Sequence, residues 1–230
     1  GVLAVVFSHN DALFAVFVAF TGMNICTSLQ NLIPMNMQVP NDGYNALHLE
    51  DDPEALRSFW IQLKLNEWST MGSRMRDMPK EWFALPSEEG MCNAVTSSLA
   101  VFACQRLIDE GKYDEAYAAA KKLVFGDNKV LALYKALLRM DMICFELIGE
   151  GRREEVDRLC TEEVKQLMRS MKSYPTVLRT QCIYALLYEQ DAEKAKKYKA
   201  MYEKTAEKYP APAELRSDYE LMVKAGEKAV

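Results

Sequence analysis

Two contrasting patterns of hydrophobic and polar positions divide the chain. Residues 12–33, ALFAVFVAFTGMNICTSLQNLI, include 15 apolar residues among 22 and no charged residue. As an α-helix this segment is about 33 Å long, close to the hydrocarbon thickness of a bilayer. From about residue 87 onward, apolar residues recur at helical spacing among many charges. The pattern predicts one transmembrane helix followed by an all-helical soluble region.

A secretory signal and a buried core helix are the alternatives for residues 12–33. The segment lacks the basic start and the small-residue cleavage site of a signal, and it is long for a buried helix. Four of its polar residues recur at steps of three or four and share one face: Thr21, Asn24, Ser28 and Asn31. Because polar side chains are unfavourable against lipid, we expect this face to lie against protein, a cavity or another helix. Residues 1–7 look like the end of one such helix, so further partner helices are expected upstream.

The charge distribution strengthens this division. Of the 61 charged residues, only Asp11 lies among the first 41 residues. The net charge of -5 argues against a nucleic-acid-binding surface. Six cysteines form no C-x-x-C pair and no metal-ligand spacing with histidine: Cys26, Cys92, Cys104, Cys144, Cys160 and Cys182. We interpret them as buried hydrophobic residues in a reducing compartment, which favours the cytosol for the soluble region.

A proline and a carboxylate follow the apolar segment. Pro34 removes an amide donor and frees a backbone carbonyl, and unpaired backbone at membrane depth is tolerated only inside protein or beside a cavity. Asp42 is a hard oxygen ligand, which can complete a zinc site begun by two histidines. The alternative is that residues 41–43, Asn-Asp-Gly, form a turn where the chain leaves the membrane. His9 and His48 are interpreted as interfacial or surface residues.

Asn-Leu-Ile-Pro at residues 31–34, followed by Asp42-Gly43, resembles the carboxy-terminal half-motif of the site-2 proteases. These are intramembrane zinc metalloproteases. The resemblance implies that Asp42 is the third Zn²⁺ ligand and that Gly43 allows a tight backbone at the metal. It also implies that Asn31 and Pro34 shape a broken segment beside the substrate.

This chain departs from the family pattern in two respects. Its gap from Pro34 to Asp42 is longer than the commonest family spacing by about one helical turn. In the family an upstream helix carries H-E-x-x-H, which supplies two His ligands and a Glu that activates water, and this chain contains no such motif. We therefore expect the chain as it stands to be an inactive fragment, whose active site is completed by upstream transmembrane helices.

Residues 51–86 are predicted to form an amphipathic helix and a linker. Asp51-Asp52-Pro53-Glu54 is typical of a helix start, and the helix is expected to continue to about Trp68. An aromatic cluster follows the apolar segment: Trp60, Trp68, Trp82 and Phe83. These rings are expected either to pack against the next domain or to lie at the bilayer interface.

Residues 87–230 contain a repeat of about 40 residues. Ten-residue segments that begin at Leu107, Leu147 and Leu186 align, at spacings of 40 and 39. Such a period with a short central turn is typical of stacked helical hairpins, and Gly111 and Gly151 fall where a first helix must end. The predicted pairs are 88–109 with 113–125, 128–149 with 152–171, and 175–189 with 191–208, followed by a last helix over 211–228. This resembles tetratricopeptide-type solenoids, although the period is longer.

The predicted fold is therefore all-α: one transmembrane helix followed by an antiparallel helical-hairpin, tetratricopeptide-like solenoid. The predicted domains are 1–50, 51–86 and 87–230, with residues from about 51 onward in the cytosol. The predicted function is that of a bacterial-type site-2 metalloprotease fragment, which would hydrolyse peptide bonds in or near the bilayer. The alternatives are a non-enzymatic, membrane-anchored scaffold whose repeats bind a protein or peptide partner, and a transporter-associated subunit that kept the fold without the chemistry.

Overall fold

The protein is all-helical, with eleven α-helices, three short 3₁₀ helices and no strand in the part of the chain that the structure describes. A computed structural model describes Val2 and residues 10–35, 41–49 and 51–229. The expectations for residues 1–7, Val2 excepted, and for His9 lie outside the described residues, as does the side chain of His48. The chain divides into two compact units, Gly1–Leu56 and Arg57–Val230. The domain boundaries at residues 50 and 86 stay a prediction.

The first long helix, α1, covers Asp11–Leu32 and confirms that the apolar segment is helical. It begins after Asn10, whose side chain accepts a hydrogen bond from the Leu13 amide at 3.1 Å. It ends just before Pro34, which has no amide hydrogen to continue the ladder. None of its residues is buried, and by length and composition it can cross a bilayer.

Three polar side chains of α1 bond to the backbone of their own helix. Thr21, Asn24 and Thr27 each donate to the carbonyl four residues earlier, at 2.7, 2.7 and 2.9 Å. Such bonds satisfy the polar groups internally and so reduce the cost of placing them against hydrocarbon. Contact of the polar face with upstream helices stays a prediction.

Helix α2 covers Asp42–His48. Helix α3 covers Pro53–Thr70 and confirms that a helix begins at the predicted start near Pro53. Its start is capped by Asp52, whose carboxylate accepts from the Ala55 amide at 2.9 Å. One face of α3 contributes to a small apolar cluster: Ile61, Leu65, Met78, Phe83 and Leu99. Trp60 and Leu63, on the opposite face, are 48% and 54% exposed. One face of α3 is therefore packed and the other is apolar but uncovered.

The linker after α3 forms three 3₁₀ turns: Met75–Asp77, Lys80–Phe83 and Gly90–Cys92. The indole of Trp82 packs edge-on against both Trp60 and Trp68, with ring centroids 5.7 and 5.1 Å apart. The Arg106 guanidinium lies 4.7 Å from the centre of the Phe83 ring. These aromatic residues thus pack within the second unit, as one of the two interpretations expected, while the exposed half of Trp60 keeps the interfacial interpretation open.

Eight helices form the rest of the second unit. They are α4 Ala94–Asp109, α5 Tyr113–Phe125, α6 Ala132–Ile148, α7 Arg153–Leu159, α8 Glu162–Ser170, α9 Pro175–Leu187, α10 Ala192–Ala206 and α11 Leu215–Lys228. Helix α4 packs on α5, α6 packs on α7 and α8, and α9 packs on α10, so the members of each predicted pair are in contact. Contacts of α5 with α6 and of α6 with α9 join the pairs around one continuous apolar core.

The prediction of one helix over residues 152–171 is wrong, because the segment forms α7 and α8 with a break at Cys160. Thr161 caps α8 with its hydroxyl, which accepts from the Val164 amide at 3.4 Å. Acidic residues in the first turn favour this second start, because they complement the positive end of the helix dipole.

The turn inside each pair has the same backbone conformation. Gly111 and Gly151 have φ of +74° and +73°, which confirms the left-handed geometry predicted for them. Gln190 occupies the equivalent position of the third copy and has φ of +59°. A side chain is unfavourable in this region by about 1–2 kcal/mol, so the third copy keeps the turn without the residue that best suits it.

Candidate functional site

The end of α1 is joined to the start of the next helix, α2 (Asp42–His48), by the side chain of Asn41. An amide at position 34 would donate to the Gln30 carbonyl, but Pro34 has none. The Asn41 amide supplies the missing donor: it bonds the carbonyls of Gln30 and Ile33, at 2.7 Å each. Its oxygen accepts from two backbone amides, those of Met35 at 2.9 Å and Tyr44 at 3.0 Å. Asn41 thus satisfies free carbonyls at the carboxyl end of α1 and caps the start of α2.

Gly43 lets the two helices approach at this α1–α2 junction, which comprises residues 30–35 and 41–44. A Cβ added at Gly43 would overlap the Leu32 carbonyl oxygen and would lie 2.8 Å from that of Asn31. The backbone at Gly43 is therefore close to the end of α1, and a tight backbone at a metal ion stays a prediction. A larger residue would force the helices apart.

The other predicted site residues lie around this contact. Asp42 is the first residue of α2 and is exposed, as are Asn31 and Pro34. No group of three His, Cys, Asp or Glu side chains that could hold a metal ion occurs within the described ranges. Asp42 can thus supply one carboxylate ligand of suitable chemistry, and its role in binding Zn²⁺ stays a prediction.

A buried ion network in the second unit was not foreseen from the sequence. Arg179 of α9 is 1% exposed, and it donates to Asp141 of α6 at 2.7 Å and to Asp218 of α11 at 2.8 Å. Gln105 of α4 adds a hydrogen bond to Asp141 at 3.0 Å. The Nε of Arg179 has no hydrogen-bond partner among the described residues. One guanidinium therefore links three helices and is shared by two carboxylates.

A second network ties the linker to α4 and α11. Arg74, 5% exposed, contacts Asp109 at 2.5 Å and Glu220 at 2.7 Å. Asp109 also accepts from the Ser217 hydroxyl at 2.6 Å and from the Arg76 amide at 3.0 Å. Through these two networks and through apolar contacts, α11 packs across α4, α6 and α9, the first helices of the three pairs.

A cavity of about 170 Å³ lies between α11, the three first helices and residues 69–75. Both ion networks contribute to its wall. Asp141 and Asp218 come from the Arg179 network, and Arg74 and Asp109 come from the second network. Glu214, an exposed residue, lines it as well. We name this space the carboxylate cavity.

Burial governs the protonation of these carboxylates. It raises the pKa of Asp218 to about 6, against the opposing effect of Arg179. Burial would also raise the pKa of Asp109, but hydrogen bonds from Arg74 and Ser217 hold that pKa below its ordinary value. The fold therefore favours the ionised form of Asp109, whereas burial opposes the ionised form of Asp218.

A sequence signal for the networks exists, although it is weak. Asp141 interrupts the apolar run MDMICF, and Arg179 interrupts PTVLRTQCI, so each places a charge within an otherwise uncharged stretch of helix. A charge in such a stretch must either reach solvent or find a buried partner. The sequence alone does not show which of the two occurs.

The chain was compared with family models, with curated proteins and with solved structures. No match is found in any of the three comparisons.

Proposed function

We propose that this chain is the carboxy-terminal part of a site-2-type intramembrane zinc metalloprotease. Helix α1 crosses the bilayer beside upstream helices of the same protein, and a tetratricopeptide-like repeat domain follows on the cytosolic side. The observation that carries the proposal is the α1–α2 junction. There an uncovered apolar helix ends at a proline, and the residues on either side of Asp42 hold α2 against that end.

Each junction residue has a separate role in this proposal. The exposed carboxylate of Asp42 is free to meet ligands from another helix, namely the two His residues of an upstream H-E-x-x-H. Asn31 and Pro34 present an interrupted helix end to the substrate, and Gly43 keeps the two backbones close. Zn²⁺ held by Asp42 and the upstream histidines would supply a Lewis acid for the scissile carbonyl and for activating water.

A membrane-anchored helical-repeat scaffold is the second candidate. The hydrogen bonds of Asn41 favour it, because they explain the Asn-Asp-Gly segment as a helix cap that needs no metal. In a scaffold, the repeats would bind a protein or peptide partner. Since α11 already covers the first helices of the pairs, such a partner would bind their second helices or displace α11.

A cleavage assay on the complete protein, including its upstream helices, separates the two candidates. The purified protein in detergent is incubated with a peptide that contains a single transmembrane segment. Asp42→Asn is expected to lower the cleavage rate at least about a hundredfold, because an amide is a poor zinc ligand. The matched control, Asp51→Asn, changes an exposed carboxylate nine positions later and should retain the parental rate.

Two results would contradict the protease proposal. One is an absence of H-E-x-x-H from every apolar helix encoded upstream. The other is equal cleavage by the Asp42→Asn and Asp51→Asn variants. Either result would leave the scaffold as the better account.

A further inference from the structure

The carboxylate cavity has the size of a small-molecule site. Its volume of about 170 Å³ is close to that of engineered protein cavities of about 150 Å³ that bind benzene. Apolar side chains form part of its wall, among them Phe102, Leu137 and Leu138. The cavity therefore offers both apolar surface and charged groups to a ligand about the size of a benzene ring.

Charge around the cavity is unbalanced. Arg179 is shared by Asp141 and Asp218, and Arg74 is shared by Asp109 and Glu220. Glu214 forms no salt bridge within the described part of the chain. Four carboxylates line the cavity, and two guanidinium groups pair with three of them, which leaves an excess of two negative charges when all four are ionised: Asp109, Asp141, Glu214 and Asp218. An anion would add to this excess, whereas a cation would relieve it.

Three tyrosines give the cavity its second chemical feature: Tyr134, Tyr174 and Tyr209. The Tyr209 hydroxyl lies 3.5 Å from the Glu214 carboxylate. Aromatic rings beside carboxylates attract organic cations, because ring faces carry negative charge and the carboxylates accept N–H donors. A metal ion is less well suited, since no group of three metal-binding side chains converges in the described residues.

We propose that the carboxylate cavity binds a small organic ammonium ion, with the amine directed at Glu214 and Asp218 and its apolar part against the tyrosines and Phe102. The site lies wholly within the second unit and does not depend on the junction residues of α1 and α2. Its test is therefore independent of the protease proposal.

Three ligands of the same shape test this proposal: benzylamine as the cation, benzyl alcohol as the neutral analogue and benzoate as the anion. Each is titrated into the full chain in detergent micelles, with the methionine methyl groups labelled for NMR. Met75 lines the cavity, whereas Met201 lies on the surface of α10 and reports non-specific effects. Benzylamine should shift the Met75 signal saturably, benzyl alcohol should bind at least about tenfold more weakly, and benzoate should leave the signal unchanged.

A pair of charge variants locates the amine. Glu214→Gln is expected to weaken benzylamine binding about tenfold, because it removes a carboxylate that forms no salt bridge with any cation among the described residues. Glu227→Gln, an exposed site near the end of α11, should leave binding unchanged and also controls for partition into micelles. The proposal is overturned if Met75 does not respond to benzylamine, if all three ligands shift it equally, or if Glu214→Gln binds as the parent does.

Discussion

Replacing Arg179 with leucine is expected to destabilise the second unit by about 3–5 kcal/mol, the usual cost of removing one partner from a buried ion pair. Arg179 is 1% exposed, and its two carboxylate partners lie at 2.7 and 2.8 Å. The substitution would leave Asp141 and Asp218 buried without their guanidinium. Whole domains have a free energy of unfolding of about 5–15 kcal/mol, so a loss of this size is a large part of the total.

Urea denaturation of the full chain in detergent micelles, followed by tryptophan fluorescence, measures this loss. The control is Arg169→Leu: Arg169 contacts Glu162 at 2.5 Å, but the two side chains are 62% and 71% exposed. The distances are similar, but Arg169 is exposed and contacts one carboxylate of its own helix, so the control should leave the free energy of unfolding nearly unchanged. Arg179→Lys should fall between the parent and Arg179→Leu, because an ammonium lacks the fork that serves two carboxylates. Equal losses in Arg179→Leu and Arg169→Leu would refute the reasoning.

Lowering the pH should reduce the loss in free energy of unfolding that Arg179→Leu causes. Burial raises the pKa of Asp218 to about 6 even with the guanidinium present, and this pKa rises further without it. The folded variant then binds a proton that the unfolded chain, with a carboxyl pKa of about 4, binds only at lower pH. Its stability therefore increases as the pH falls from 7 to 5, and the difference from the parent should narrow by about 1–2 kcal/mol. A difference that widens in acid would contradict this account.

Backbone geometry, the Asn41 amide and thiol burial provide three more tests. Gly111→Ala should lower the free energy of unfolding by about 1 kcal/mol in urea denaturation, because no atom lies within 4 Å of the added Cβ and only the positive φ opposes the side chain. Gln190→Gly should raise the free energy of unfolding by about 0.5–1 kcal/mol, because glycine suits the positive φ. A change of the opposite sign in either variant would contradict the shared turn conformation. Asn41→Asp keeps the acceptor but removes the donors to α1, so amide exchange in α2 should accelerate, and unchanged exchange would count against the junction. The interpretation of the cysteines as buried is wrong for Cys26 and Cys92, which are exposed. Cys92 should react with maleimide faster than Cys104, because burial raises the pKa of the Cys104 thiol to about 12; equal rates would contradict this.

The repeat was predictable because its signals are local. A glycine at the end of the first helix and a fixed period predicted the turns at Gly111 and Gly151, and the same register placed Gln190 at the third turn. The alignment, not the residue type, identified Gln190. The break at Cys160 was missed because an apolar pattern continues across it, although Thr161 followed by acidic residues is itself a helix start signal.

The contacts at the two sites were less predictable because they join distant residues. The sequence showed that Pro34 frees a carbonyl, but it did not show that the Asn41 side chain, eleven residues after Gln30, binds that carbonyl. Arg179 and Asp141 are 38 residues apart and meet only because α6 and α9 pack together. Local sequence patterns predict helices, whereas these long-range side-chain contacts depend on how the helices pack, which a local pattern does not predict.

The zinc content of the complete protein tests the central claim most directly. The parent, Asp42→Asn and Asp51→Asn are purified in detergent, and bound zinc is measured per chain by elemental analysis. The account predicts one zinc per chain in the parent and in Asp51→Asn, and a loss of most of that zinc in Asp42→Asn. Equal zinc in all three proteins, or none in the parent, would contradict the assignment of Asp42 as a metal ligand.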